Sequence, residues 1–168
     1  LQKHLVFLTA GGVLAYLAYR VDLEWLKQYS QILILGAFAL LLIVFVPGLG
    51  VEVKGAKRWI NLGISTFQAV EAVKVLMIVY LAGYFVRHQE AVQHQLLGVM
   101  KPLIVAGALL GLLLAQPDFG SALLLMAIVG GMVWLAGGSA KHLGATALVT
   151  MPVVAVAAIS EPYRMARL

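Results

Sequence analysis

The sequence has little charge and no cysteine. Of its 168 residues, 11% are charged and 62% are hydrophobic. A soluble domain of this size would carry more charge and show clear amphipathic periodicity, so the composition excludes that class. Without cysteine the chain has neither disulfides nor thiol ligands for a metal. The net charge of +5 then points to headgroups or anionic substrates at a membrane rather than to nucleic acid.

Several apolar runs of about 15–20 residues follow one another, and about 20 residues are needed to cross a bilayer. They predict an all-α, polytopic helical membrane protein with about six transmembrane helices in a single membrane domain, 1–168. The predicted spans are 5–19, 31–47, 67–86, 102–115, 119–136 and 142–160, with a polar loop at 48–66. Pro117 separates the fourth and fifth spans because it ends a helix. Both ends look internal, so we expect a piece of a longer protein.

Glu71 and Lys74 stand at the start of the third span. The run from Val75 to Val86 covers only about 18 Å as a helix, which is too short for a core of about 30 Å. The helix must therefore begin near Phe67, and both charges lie inside it. At i and i+3 they can pair. Either they snorkel or neutralise each other, or they line a polar cavity, because intramembrane charges usually mark a site.

Three further groups of polar residues are candidates for a site. Two of them have both a structural and a functional interpretation, and the third, the histidines, predicts no site. The run Lys54–Arg58, which includes Lys57, is either a solvated loop on anionic headgroups, with Trp59 as an interface anchor, or a substrate contact. Asp118 is either a turn and N-cap residue or a supporting carboxylate. The histidines lack metal-ligand spacing, so they predict no metal site. A divalent cation, Mg²⁺ or Mn²⁺, bound through carboxylates stays open.

Four segments carry a family resemblance: VPGLGVEVKGAKRWINLG, FQAVEAVK, QPDFGSALL and EPYRMARL, in this order and separated by apolar spans. Together they resemble the FtsW/RodA (SEDS) family of peptidoglycan glycosyltransferases, over essentially the whole chain. The first and last segments are more similar to its cell-division branch than to its elongation branch. The resemblance implies the second to seventh helices of a ten-helix fold in the bacterial cytoplasmic membrane, at the division septum. Residues 48–66 and the QPDFG turn would face outward.

The same resemblance implies an activity, partners and site residues. The family polymerises lipid II, a disaccharide-peptide on undecaprenyl diphosphate, together with a class B penicillin-binding protein and other division proteins of the membrane. The implied substrate contacts are Lys57, Arg58 and Trp59, and the implied polar cavity is formed by Gln68, Glu71, Lys74 and Asp118. The aspartate to which the family's catalysis is ascribed follows the EPYR segment. We therefore expect no catalytic residue in this chain and no activity from it alone.

The chain departs from the family where it carries the paired charges. Family members usually have Q-P-S-E-x-x-K, whereas here Ala69 and Val70 stand in place of proline and serine. This puts the geometry of the helix start in doubt. The alternative functions are a lipid II flippase, an elongation polymerase and a scaffold. A flippase needs a hydrophilic route to both faces, whereas the charges cluster near one face, and a scaffold leaves the paired charges unexplained.

Overall fold

The computed structural model describes residues 2–53, 56–63 and 66–159. The EPYR segment of the sequence analysis and Lys54 lie outside these ranges. In chain order the elements are α1 Gln2–Arg20, α2 Leu23–Ile43, β1 Gly50–Val53, β2 Ala56–Asn61, β3 Thr66–Gln68, α3 Ala69–Arg87, α4 Gln89–His94, α5 Leu96–Ala115, α6 Phe119–Leu135 and α7 Ala140–Ile159.

The core lies between α2, α3, α5 and α6, and α7 packs against α5 and α6. Its largest fully buried side chains are Leu41, Met77, Leu81, Leu103, Leu109, Leu110, Leu113 and Leu125. The outer surface of these helices is apolar too, as a lipid environment requires. Within the described ranges, α2, α3 and α5 are long and apolar enough to cross a membrane, and α6 is apolar but shorter. The fold is an all-α membrane fold with one small sheet.

Four helices begin before their predicted spans, and in α2 and α5 the difference is more than one helical turn. α2 begins at Leu23 rather than at residue 31, because Asp22 caps it: the Asp22 side chain accepts a hydrogen bond from the Glu24 N–H at 2.9 Å. α5 begins at Leu96 rather than at residue 102. In α2 the charged residues Glu24 and Lys27 interrupt the apolar run, and in α5 Lys101 and Pro102 do so, although the helices continue through them.

Pro102 lies inside α5, where its missing N–H leaves the carbonyl of Gly98 without its usual helical donor. The Tyr84 hydroxyl of α3 takes that place and donates to the Gly98 carbonyl oxygen at 3.0 Å. Tyr84 is itself buried. The hydrogen bond thus repairs the proline defect and joins α3 to α5.

Tyr84→Phe should therefore lower the free energy of unfolding by about 1–3 kcal/mol, since it leaves a buried carbonyl unsatisfied. Thermal unfolding of the detergent-solubilised full-length protein measures this. Tyr80→Phe, in the other buried tyrosine of α3, is the matched control. Equal losses in the two variants would contradict the role given to the Tyr84 hydroxyl.

The polar segment predicted as a loop at 48–66 instead contains an antiparallel sheet with the order β1-β2-β3. Trp59 pairs with Gln68 and Ile60 with Phe67. Ile60 is buried and Phe67 packs against the core, so one face of the sheet is anchored on the helices. β3 continues directly into α3 at Ala69. The sheet therefore places β2 beside the start of α3.

Candidate functional site

Arg58 occupies an irregular position in β2. Val51 of β1 stands opposite Trp59 and Glu52 stands opposite Lys57, so the register shifts by one residue and Arg58 is the extra one. A β-bulge of this kind bends the strand and re-aims a side chain. The Arg58 guanidinium reaches Asp118, with 3.4 Å between Nη1 and Oδ1.

Asp118 lies in the turn between α5 and α6 and has two contacts. Its Oδ1 accepts a hydrogen bond from the Ser121 N–H at 3.3 Å, which makes it the N-cap of α6. The same oxygen contacts Arg58. The Asp118 side chain is 4% exposed, whereas that of Arg58 is 34% exposed. Asp118 thus has the N-cap role that the sequence offered as one alternative, and it also forms an ion pair with Arg58 that the sequence did not predict.

This ion pair is incompletely satisfied. Within the described part of the chain, Asp118 Oδ2 and Arg58 Nε are both buried and have no hydrogen-bond partner. A buried charge left without partners is costly, so these atoms call for a further polar group. The partial exposure of Arg58 leaves room for an anion on its outer side. Arg58 is therefore paired with a buried carboxylate and, at the same time, accessible to a ligand.

Glu71 and Lys74 form the pair that their spacing allows. Lys74 Nζ lies 2.9 Å from Glu71 Oε1 and 2.8 Å from Oε2, so both carboxylate oxygens contact the ammonium group. The Lys74 side chain is 17% exposed, whereas Glu71 is 56% exposed. Glu71 in the first turn of α3 complements the helix dipole. Lys74 is thus held against the helix while the carboxylate stays accessible.

The start of α3 keeps a geometry that suits proline despite Ala69. Gln68 is the N-cap, with φ −87° and ψ 108°, and makes no side-chain capping hydrogen bond. Such extended backbone is what a residue before proline adopts, and N1 is the helical position that proline favours. Val70 is 2% exposed, so an apolar side chain fills a core position there. At the two positions that depart from the family motif, the backbone is therefore one that proline can adopt, and Val70 packs in the core.

Lys57 and Trp59 differ in their surroundings. Lys57 is exposed and stands opposite Glu52 across the strands, where opposite charges attract. Trp59 is half-buried and stands opposite Gln68. The structure therefore brings Trp59 next to Gln68 and Arg58 next to Asp118. Lys57 lies on the exposed rim of this candidate site.

The sequence did not predict a role for Gln116. It is buried, and its Nε2 donates to the Leu41 carbonyl oxygen at 3.0 Å. This bond ties the turn that carries Asp118 to the end of α2. The only signal in the sequence is a polar residue before Pro117 at the end of an apolar run, and that does not predict its partner.

The described residues contain no ready-made set of three metal ligands. No group of three or more His, Asp or Glu side chains able to hold a metal ion occurs in ranges 2–53, 56–63 and 66–159. Asp118 is already used by Arg58 and by the Ser121 N–H. The site is instead two ion pairs at the sheet end of the helices.

Apolar helices around a common core, with paired charges at one end, define a polytopic α-helical membrane protein with a polar site near its surface. The sequence profile of the FtsW/RodA/SpoVE family, described as a cell cycle protein family, matches residues 1–168. The chain belongs to this family.

Individual relatives agree. The chain is 47% identical to a protein of Xanthomonas oryzae pv. oryzae and 39% identical to one of Thioalkalivibrio sulfidiphilus, each named "Probable peptidoglycan glycosyltransferase FtsW". The matches cover 99% and 100% of this chain but only 34% and 42% of those proteins. The crystal structure of Thermus thermophilus rod shape determining protein RodA matches with a TM-score of 0.70 and 27% identity, over 88% of this chain and 48% of that one. The chain thus spans less than half of these relatives.

Proposed function

We propose that the protein containing this chain is a peptidoglycan glycosyltransferase that polymerises lipid II in septal cell-wall synthesis. The names of the relatives support the reaction class. The structural observation that supports it best is the ion pair between Arg58 and the buried Asp118. This pair anchors the arginine while about a third of its side chain stays exposed. An anchored arginine at the membrane surface suits a diphosphate lipid.

The chemistry requires such a cation. When the acceptor hydroxyl attacks the anomeric carbon, the bond to the diphosphate oxygen breaks and negative charge develops on the leaving group. A preorganised donor stabilises that charge, and arginine offers a planar fork that matches phosphate oxygens. We assign this role to Arg58, with Lys57 and Trp59 at the rim. The base that accepts the hydroxyl proton is proposed to lie in the protein beyond this chain.

Glu71 and Lys74 are proposed to shape the polar cavity next to this cation, with Gln68 at its edge. The accessible carboxylate of Glu71 can accept hydrogen bonds from sugar or peptide groups. A divalent cation, Mg²⁺ or Mn²⁺, bound through carboxylates would assist by neutralising charge on the diphosphate. The setting is a multi-pass protein of the bacterial cytoplasmic membrane at the septum, acting with a class B penicillin-binding protein.

Glu71→Gln should reduce polymer formation from lipid II by about 10²-fold, in the range seen when one preorganised electrostatic group is removed. The assay uses the full-length protein with its penicillin-binding partner. The matched control is Glu90→Gln, the same change in exposed α4 at the opposite end of the helices, and it should leave the rate unchanged.

Two results would count against the proposal. Equal polymer formation in wild type and Glu71→Gln would make Glu71 a structural charge only. If the wild-type complex forms no polymer under conditions where another family member does, the glycosyltransferase assignment fails. Movement of lipid II across proteoliposomes would then identify a transporter.

A further inference from the structure

A cavity with both polar and apolar lining residues lies at the end of the helices opposite the sheet. It has a volume of about 520 Å³ and opens between the α4–α5 connection and the start of α7. Its described lining includes Gln93 and His94 on one side and Ser139, Lys141 and His142 on the other. The proposed reaction uses none of these residues.

The walls of this cavity are held by His142, which is buried. Its Nδ1 accepts hydrogen bonds from the Ser139 N–H at 3.0 Å and from the Ser139 hydroxyl at 2.7 Å. Nε2 therefore carries the hydrogen and donates to the Gln95 carbonyl oxygen at 3.2 Å. With both ring nitrogens engaged, His142 joins the two connections across the cavity. The cavity is a built feature and not a gap between loose turns.

The conformation of the turn between α6 and α7 is also fixed, by two glycines and their hydrogen bonds. Gly137 has φ +83°, a conformation that glycine adopts readily, and its N–H donates to the Trp134 carbonyl oxygen. The Gly138 N–H donates to the Val133 carbonyl oxygen, which completes a Schellman motif at the end of α6. A Cβ on Gly137 would lie 3.0 Å from Gln93 Nε2, so the Gln93 amide packs on the turn. The polar lining is thereby fixed next to the end of α6.

The charge of the lining favours an anion. Among its described residues Lys141, which is exposed, is the one charged side chain, and no acid is among them. Leu96 at the start of α5 also lines the cavity, and Leu97 beside it and Trp134 near the end of α6 are exposed. An exposed tryptophan at the end of an apolar helix is typical of the membrane–water interface. A ligand here meets a cation at one end and apolar side chains at the other.

We propose that this cavity binds the phosphate headgroup of an anionic glycerophospholipid, with its acyl chains along the exposed leucines. Lys141 contacts the phosphate, the His94 ring and the Gln93 amide donate to its oxygens or to the glycerol, and Trp134 lies at the level of the ester groups. Basic pockets between transmembrane helices are known sites for such headgroups. The inference is independent of the proposed glycosyl transfer.

Native mass spectrometry of the delipidated full-length protein tests this. Titration with dioleoyl-phosphatidylglycerol should give a saturable adduct at concentrations where dioleoyl-phosphatidylcholine gives none. Lys141→Ala should weaken that adduct about fivefold, the effect of about 1 kcal/mol for one cation near the headgroup. Lys27→Ala is the matched control, since Lys27 is at the same end but pairs with Glu24 and does not line the cavity.

Three outcomes would overturn the proposal. One is equal binding of the two lipids. Another is an equal loss of binding in Lys141→Ala and Lys27→Ala, which indicates bulk charge only. The third is binding of inorganic phosphate alone with displacement of the lipid at equal concentration, which indicates a free-phosphate site. Lys141→Gln, with an unchanged melting temperature, separates any of these from a folding defect.

Discussion

Asp118→Asn should lower the rate of lipid II polymerisation by about 10²-fold without unfolding the protein. Asparagine caps a helix as well as aspartate does, so the bond from the Ser121 N–H persists. What is lost is the charge that holds Arg58, and a misplaced cation stabilises the leaving diphosphate poorly. We therefore expect a loss in kcat at an unchanged melting temperature.

The matched control is Asp22→Asn, the same substitution at the N-cap of α2. The Asp22 carboxylate is exposed and accepts a hydrogen bond from the Glu24 N–H. This substitution should leave the rate unchanged. A double-mutant cycle with Arg58→Gln then tests the route of the effect: Asp118→Asn should add little once Arg58 has lost its charge. Full additivity of the two losses would show that Asp118 acts independently of Arg58.

Gly83→Ala should destabilise the protein by about 1–3 kcal/mol, the range for overpacked cores. A Cβ on Gly83 would lie 2.6 Å from Ser30 Oγ and 2.9 Å from Ser30 Cβ, where α3 crosses α2. Ser30 is fully buried and cannot swing away freely, because its hydroxyl donates to the Lys27 carbonyl oxygen and accepts from Arg87 at 2.8 Å. Arg87 also donates to the Lys27 carbonyl oxygen at 2.7 Å. The added methyl group thus disturbs both the crossing and the hydrogen bonds beside it.

Thermal and denaturant unfolding in detergent measure this loss. Gly107→Ala is the control, since its Cβ would meet nothing within 4 Å and alanine favours a helix by about 1 kcal/mol. Ser30→Gly added to Gly83→Ala should recover part of the loss by removing the colliding atoms. If Gly83→Ala unfolds like Gly107→Ala, the close crossing does not limit stability.

The candidate site shows which contacts sequence reasoning can reach. The Glu71–Lys74 pair was predictable because i and i+3 lie on one helix face, and the structure shows it with both carboxylate oxygens engaged. The cap role of Asp118 was also a local inference, from an aspartate placed after a proline. Its pairing with Arg58 was not, because 60 residues separate the two and a β-bulge aims the arginine.

Membership of the helical membrane class, the order of the apolar segments and the break at Pro117 were determined by the sequence alone. Each depends on the transfer of apolar side chains from water or on backbone restrictions within a few residues. Such effects can be predicted from a short stretch of sequence. The sheet inside the polar segment, the Tyr84 hydroxyl on Gly98 and the anchoring of Arg58 were decided only by tertiary structure. Each needs a partner from another element, and that partner is set by how the helices pack.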